Sequence, residues 1–317
     1  MTPAAPSSFR KVFLTGGTGF IGRHLLHTLL DRGSPVVALA RDPKTFDSLL
    51  SPEKDRLTIV RGDDASLDSY RDAVLACDAV CHIAAFIPPD FRDPAHAERC
   101  MEVNALWTLQ LALLAAAKPG IRFVYLSSGA CYTPSTEPVD EDSPLFPAAR
   151  ATYYLASKLA GELYVEQMRH ARKLGSVILR VGSVYGHGSP SKGMISHFVA
   201  RARQGETLRV LNGGNASSDL THVSDIAKLC AAALLQGEPG IYNAGTGTAT
   251  TALEAARTVA EIFHERAPRI EVTPGEPAFA SFPALSMKKS SAAFDHQPLT
   301  LRQGLELDKR MLESGGA

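Results

Sequence analysis

Short apolar runs alternate with stretches of helical periodicity through the first two thirds of the chain. Lys11-Val12-Phe13 reads as a short strand. After a glycine-bearing segment, Ile21, Leu25, Leu26, Leu29 and Leu30 recur on one helical face. Strands are predicted at 36–40, 57–60, 79–83, 122–126 and 177–181, with helices at 103–117 and 152–173. This alternation predicts an α/β fold, a doubly wound parallel sheet with helices on both faces. Beyond Val181 the rhythm loosens. Residues 186–193 and 212–218 are rich in glycine and serine and read as loops. A helix is expected at 226–235, a last strand at 240–243 and an alanine-rich helix at 251–264. No repeat and no linker of disordered composition separates these segments, so the later ones are expected to form a smaller C-terminal lobe.

The glycine-bearing segment is LTGGTGFIG, Leu14 to Gly22. Strand, glycine turn, helix is the context in which such a motif means dinucleotide binding. Gly16 and Gly19 lack the Cβ that would keep the backbone off a pyrophosphate, and Gly22 lets the helix lie close to the strand. The start of the helix, at Phe20 and Ile21, offers unpaired N–H groups and a partial positive charge to phosphate. The spacing is Gly-x-x-Gly-x-x-Gly, and a tight strand-to-helix turn uses glycines as well.

Tyr154-Leu155-Ala156-Ser157-Lys158 carries the second signal. Tyrosine and lysine four apart on a helix point the same way. A phenol with a pKa near about 10 is no base at neutral pH, but a neighbouring ammonium favours the phenolate. Such a tyrosine exchanges a proton with an alcohol or a carbonyl. The same spacing also occurs as an ordinary i, i+4 pair on an amphipathic helix. Tyr153 is the rival candidate and has no lysine at that offset. The third signal is Ser127-Ser128, where a strand runs into two hydroxyls at the edge of a parallel sheet that meets ligands. Paired serines also cap turns.

Composition narrows the partners. Lys+Arg and Asp+Glu both number 33, so the net charge is zero and favours neither nucleic acid nor a membrane surface. No apolar run reaches spanning length, no signal peptide is read, and Met1–Ser8 is expected to be a loose tail. The cysteines (77, 81, 100, 131 and 230) are odd in number and form no Cys-x-x-Cys pair, which fits a reducing cytoplasm. Cys77 and Cys81 read as core packing. The histidines lie at no metal spacing, so no metal is expected. Asp140-Glu141-Asp142 reads as a solvated loop, and Trp107 as a packing or dimer residue.

Together these features resemble the extended short-chain dehydrogenase/reductase family, which includes nucleotide-sugar epimerases and dehydratases. The resemblance covers nearly the whole chain and implies a Rossmann sheet. It implies Tyr154 as acid/base, Lys158 as its activator and ribose ligand, and Ser128 as the hydroxyl that orients the substrate. It matches Asp63 to an adenine contact, Ala84 and Ala85 to backbone lining the cofactor, and Asn104 to an asparagine that steadies the active-site helix. Arg180–Gly186 resembles the passage into the substrate lobe, Asp219–Ala227 the return to the core, and Asn243-Ala244-Gly245 the final strand and turn. The implied organisation is a dinucleotide-binding domain over 9–182 with 219–244 returning to it, and a substrate-binding lobe over 183–218 and 245–312. The two long helices imply a homodimer built through a four-helix bundle.

Departures from the family pattern bear on function. NAD-preferring relatives close the second strand on an acid; here it closes on Ala40 and Arg41, and a guanidinium suits a 2′-phosphate. NADP(H) is therefore expected, while Asp42, one residue late, keeps NAD possible. Ser218 stands where nucleotide-sugar members carry an arginine for the diphosphate, and Phe282–Lys289 holds no second arginine. Gly129 and Ala130 replace the Asp-Glu pair of 4,6-dehydratases. The expected function is NAD(P)-dependent hydride transfer at a secondary alcohol or carbonyl of a small-molecule substrate. A nucleotide-sugar epimerase that regenerates its cofactor is the alternative, and a non-catalytic NADP redox sensor is a third reading.

Overall fold

Val12–Thr15 (β1) and Val36–Ala40 (β2) are buried at every position, the pattern of strands covered on both faces. The computed structural model describes residues 10–46, 53–145, 152–190, 193–266, 268–275 and 282–314; the expected tail at 1–8 lies outside them. Between β1 and β2 runs helix α1, Phe20–Asp31, which buries Gly22, Leu25, Leu26, Leu29 and Leu30. The chain continues through β3 (Leu57–Arg61), α2 (Leu67–Leu75), β4 (Ala79–His82), α3 (Ala97–Met101), α4 (Trp107–Ala116), β5 (Arg122–Ser128), α5 (Tyr153–Arg172) and β6 (Gly175–Val181). Then follow β7 (Ser183–Tyr185), α6 (Met194–Gln204), β8 (Leu208–Val210), β9 (Ser217–His222), α7 (Val223–Leu235) and β10 (Gly240–Ala244). The last elements are β11 (Ala249–Thr251), α8 (Ala252–Ile262), β12 (Ile270–Val272), α9 (Lys288–Phe294) and α10 (Leu301–Glu313).

A seven-stranded sheet has the order β3-β2-β1-β4-β5-β6-β10. The pairings β1–β2, β1–β4, β2–β3 and β4–β5 are parallel. The order reverses between β1 and β4, and crevices at such switch points are where open α/β sheets bind ligands. Phe13, Val80, Phe123, Tyr125, Leu111 and Ile178 form much of the core around it.

By its own packing the chain divides into two units. The first takes Met1–Cys131, Pro147–Arg180 and Ala227–Tyr242; the second takes Tyr132–Phe146, Val181–Ile226 and Asn243–Ala317. The second unit has a three-stranded sheet, β11-β9-β7, with β9–β11 antiparallel and β7–β9 parallel, and a β8–β12 pair. Its core holds Tyr185, Ile195, Phe198, Leu220, Val259 and Leu305.

The structure refines several expected elements. The helix expected at 103–117 begins at Ala97 and passes through a π-helical turn, Glu102–Leu106, before α4. Periodicity gives no sign of such a turn. Here the Asn104 carbonyl accepts the hydroxyls of Thr108 (2.8 Å) and Tyr125 (3.3 Å). The stretch 212–218, expected as a loop, ends in the first residues of β9. A buried carboxylate explains it: Asp219 accepts from the Thr246 N–H and Oγ1 (2.7 and 2.8 Å), the Gly247 N–H (3.0 Å) and the Leu285 N–H (3.0 Å).

Candidate active site

The glycine turn is shaped by backbone proximity. Gly16 has φ +73°, and a Cβ there would sit 2.7 Å from the Ala84 nitrogen. A Cβ on Gly22 would sit 1.9 Å from the Gly16 carbonyl oxygen, so its absence lets α1 close on the turn itself. Gly19 is the N-cap of α1, with no side-chain cap and no acid in the first turn. The first N–H groups of α1, from Phe20 onward, are thus left for an outside acceptor, and the cradle fits a dinucleotide pyrophosphate. Gly16 and Ala84 meet at the β1–β4 switch point, with Ala85 next in the chain.

Helix α5 carries the chemical pair. Thr152 caps it through Oγ1, which accepts from the Leu155 N–H at 3.2 Å. Tyr154 and Lys158 follow one turn apart. Lys158 is only 2 % exposed, and burial pushes its ammonium down to about 7. Its Nζ lies 4.2 Å from the centroid of the Tyr125 ring on β5, a cation–π seat. Gly161 makes room for that seat, since a Cβ there would lie 2.4 Å from the Tyr125 hydroxyl. Tyr154 is half-buried, and desolvation lifts its phenol above the ordinary range, with Cys131 and Cys100 adding to the shift. Desolvation thus favours the protonated phenol. Ser128 ends β5, and its Oγ accepts the Ala130 N–H at 3.2 Å. The neighbouring Ser127 Oγ is buried without a hydrogen-bond partner among the described residues.

A buried hydrogen-bond chain joins these elements. The Ala84 N–H donates to Thr15 Oγ1 at 3.3 Å, and Thr15 Oγ1 meets His82 Nδ1 at 2.7 Å. His82 Nε2 meets Thr108 Oγ1 at 3.0 Å, and Thr108 donates onward to the Asn104 carbonyl. Because the Thr108 hydroxyl donates to Asn104, His82 Nε2 must carry a proton and donate to Thr108. Burial, then the charge of Lys158, pushes His82 down to about 3. The Asn104 amide donates to Ser157 Oγ on α5 at 3.0 Å and to the Phe86 carbonyl at 2.9 Å. Asn104 thus ties α5 to the segment after β4.

The residues expected to meet the adenosine end of the cofactor follow β2 and β3. Arg41 is exposed, one residue past β2. Asp42 Oδ1 accepts the Lys44 N–H at 3.1 Å. Asp63, just beyond β3, accepts the Ala65 N–H at 3.1 Å. In the second unit, Ser218 lies on β9, and the loop expected to be solvated is not wholly so. Glu141 Oε1 accepts the Asn243 N–H at 2.7 Å, and Asn243 Oδ1 accepts the Tyr132 hydroxyl at 2.7 Å. Trp107 packs within the first unit, edge-to-face on His82, and donates to the Tyr70 hydroxyl at 2.8 Å.

Tyr125, His82, Gly161 and Phe91 were not legible as site residues. Phe91 lies edge-to-face on Tyr154, with centroids 5.5 Å apart. Only the strand assignments could have hinted that Tyr125 and His82 are neighbours. Among the described residues, no group of His, Cys, Asp and Glu is arranged to hold a metal, and no helix is long and apolar enough to cross a membrane.

Residues 12–245 match the NAD dependent epimerase/dehydratase family. The chain is 30 % identical over 311 residues to a dTDP-4-dehydro-6-deoxy-D-allose reductase of Streptomyces bikiniensis, covering 94 % of each. It is 30 % identical to a UDP-glucose 4-epimerase of Azospirillum brasilense, covering 87 % of this chain and 83 % of that one. Among solved structures, a UDP-glucose 4-epimerase of Thermus thermophilus in complex with NAD is 27 % identical with a TM-score of 0.79, covering 97 % of this chain and all (100 %) of that one. A match that runs from β1 through β10, on a sheet of dinucleotide-binding order with a glycine cradle at its switch point, makes the chain a member of this family of NAD(P)-dependent enzymes, the extended short-chain dehydrogenase/reductases.

Proposed function

We propose that the protein is an NAD(P)-dependent oxidoreductase that works at a secondary alcohol or carbonyl carbon of a small molecule. The observation that carries this reading is the pair Tyr154 and Lys158 one turn apart on α5, beside a strand ending in Ser128. When bound, the nicotinamide dinucleotide supplies or accepts the hydride. Gly16, Gly19, Phe20, Ile21 and Gly22 would hold its pyrophosphate, Asp63 its adenine and Lys158 its ribose, with Ala84 and Ala85 lining it. Arg41 would select the 2′-phosphate of NADP(H). Tyr154, with its proton retained by burial, gives it to a carbonyl oxygen. Ser128 already accepts at Oγ, so its own O–H remains to donate to that oxygen. We assign dinucleotide binding to 9–182 with 219–244, and substrate binding to 183–218 and 245–312.

The reductase named among the relatives is in keeping with this direction. The epimerases named beside it support a second reading, a nucleotide-sugar epimerase with cofactor regenerated each turnover. Ser218, in place of an arginine, weighs against a diphosphate in the substrate.

Tyr154→Phe tests the chemistry, because it deletes one hydroxyl and keeps the ring. Turnover followed by NAD(P)H consumption should fall roughly 10²- to 10⁴-fold, with cofactor affinity nearly unchanged. Tyr153→Phe, at a partly exposed position, should stay active. Full activity in Tyr154→Phe would remove the acid/base from the reading.

A further inference from the structure

The segment after β4 holds two large apolar side chains in the open: Ile87 is 63 % exposed and Phe91 42 %. Single exposed hydrophobics are ordinary on protein surfaces. These two sit on a segment held at its start by Asn104. There the Phe86 N–H donates to Asn104 Oδ1 at 2.8 Å, and Asn104 Nδ2 donates back to the Phe86 carbonyl at 2.9 Å. Around and after Phe91 the segment folds in local turns, where Asp90 Oδ1 accepts the Arg92 N–H and Asp93 Oδ1 accepts the Ala95 N–H, each at 2.9 Å. The Phe91 ring stands edge-on to Tyr154, at 5.5 Å and 74°. A reacting oxygen must come within hydrogen-bond reach of the Tyr154 hydroxyl. Phe91, packed on the ring of that tyrosine, is then among the side chains near the reacting group.

We infer that Phe91, with Ile87 on the same segment, is a specificity-determining wall that selects an alkyl or aryl group on the reacting carbon. The inference rests on Tyr154 as the acid/base proposed above. It narrows the substrate class to ketones and aldehydes with an apolar substituent, or the matching alcohols. An aromatic edge and a branched alkyl side chain return no hydrogen bond to a hydroxyl pressed against them, and a desolvated hydroxyl without a partner is disfavoured. A polyhydroxylated carbon skeleton is therefore a poor occupant of this wall, and a phenyl or alkyl group a good one.

The test reads binding, with acetophenone and dihydroxyacetone as probes, by calorimetry on protein saturated with NAD⁺ and NADP⁺ together. Wild type, Phe91→Ala and Phe91→Leu are compared. Acetophenone should bind wild type about tenfold more tightly than Phe91→Ala, from the apolar area lost. Phe91→Leu should regain most of the difference, and dihydroxyacetone should bind all three alike. Equal acetophenone binding by wild type and Phe91→Ala overturns the wall, and so does no binding by either. A parallel loss of both probes in Phe91→Ala overturns it as well. Tyr154→Phe separates the two claims: it should lose turnover and keep acetophenone binding. Full turnover in that variant overturns the acid/base, while the Phe91 comparison still decides the wall.

Discussion

Arg41 is a single exposed side chain, proposed above to select the 2′-phosphate of the cofactor. It follows directly on β2, and no acid ends that strand. A guanidinium and a phosphate form a strong charge-assisted pair. NADPH should therefore bind wild type more tightly than NADH. Arg41→Ala should weaken NADPH by about 1.5–3 kcal/mol and leave NADH nearly unchanged. Fluorescence titration of both cofactors checks this, and equal affinities in wild type would sink it. At this scale the candidates Tyr154, Lys158 and Ser128 are legible in the sequence, because local spacing marks them. It could not set their protonation. Lys158 and Tyr154 are shifted chiefly by burial, which depends on what the rest of the chain brings over them.

Elements meet at His82, where β4 touches β1 through Thr15 and α4 through Thr108. The imidazole is fully buried and neutral, pushed down to about 3, against an ordinary value near 6.5. Between those values the unfolded chain binds the proton and the folded one does not. The contribution is complete above about pH 6.5 and is lost as pH falls towards 3, at about 1.4 kcal/mol per unit. At pH 5 that amounts to about 2 kcal/mol. His82→Gln, which does not titrate, should lose less stability than wild type between pH 7 and pH 5, as read by urea denaturation. Equal losses would show that His82 already titrates normally. The strand and helix were each legible from periodicity. Their pairing through His82 was not, because Thr15, His82 and Thr108 are far apart in sequence.

Across the whole molecule, the long helices carry apolar side chains outward. Leu163 is 70 % exposed on α5 and Tyr164 is partly exposed beside it. Leu106 and Leu113 are exposed on the α3–α4 helix, with Met101 one turn ahead of Leu106. Exposed apolar residues grouped on neighbouring helices mark an association face. A two-fold homodimer through α4 and α5 should follow. Light scattering at micromolar concentration should give a dimer mass for wild type and a monomer mass for Leu163→Glu, since a carboxylate has no partner in an apolar seam. A monomeric wild type would count against the face.

The sequence by itself determined the succession of strands through β6, the glycine turn and the tyrosine-lysine pair. Each of these is a local pattern, set by side-chain period, by the missing Cβ of glycine or by one turn of helix. Tertiary structure alone decided the π turn at Asn104, the Tyr125 seat under Lys158 and the desolvation of Tyr154. It also decided that Glu141 is bound to Asn243 and that Phe91 lies on Tyr154. These depend on close approach between segments distant in the chain, and on the exclusion of water that follows. Neither leaves a periodic trace in the residues themselves.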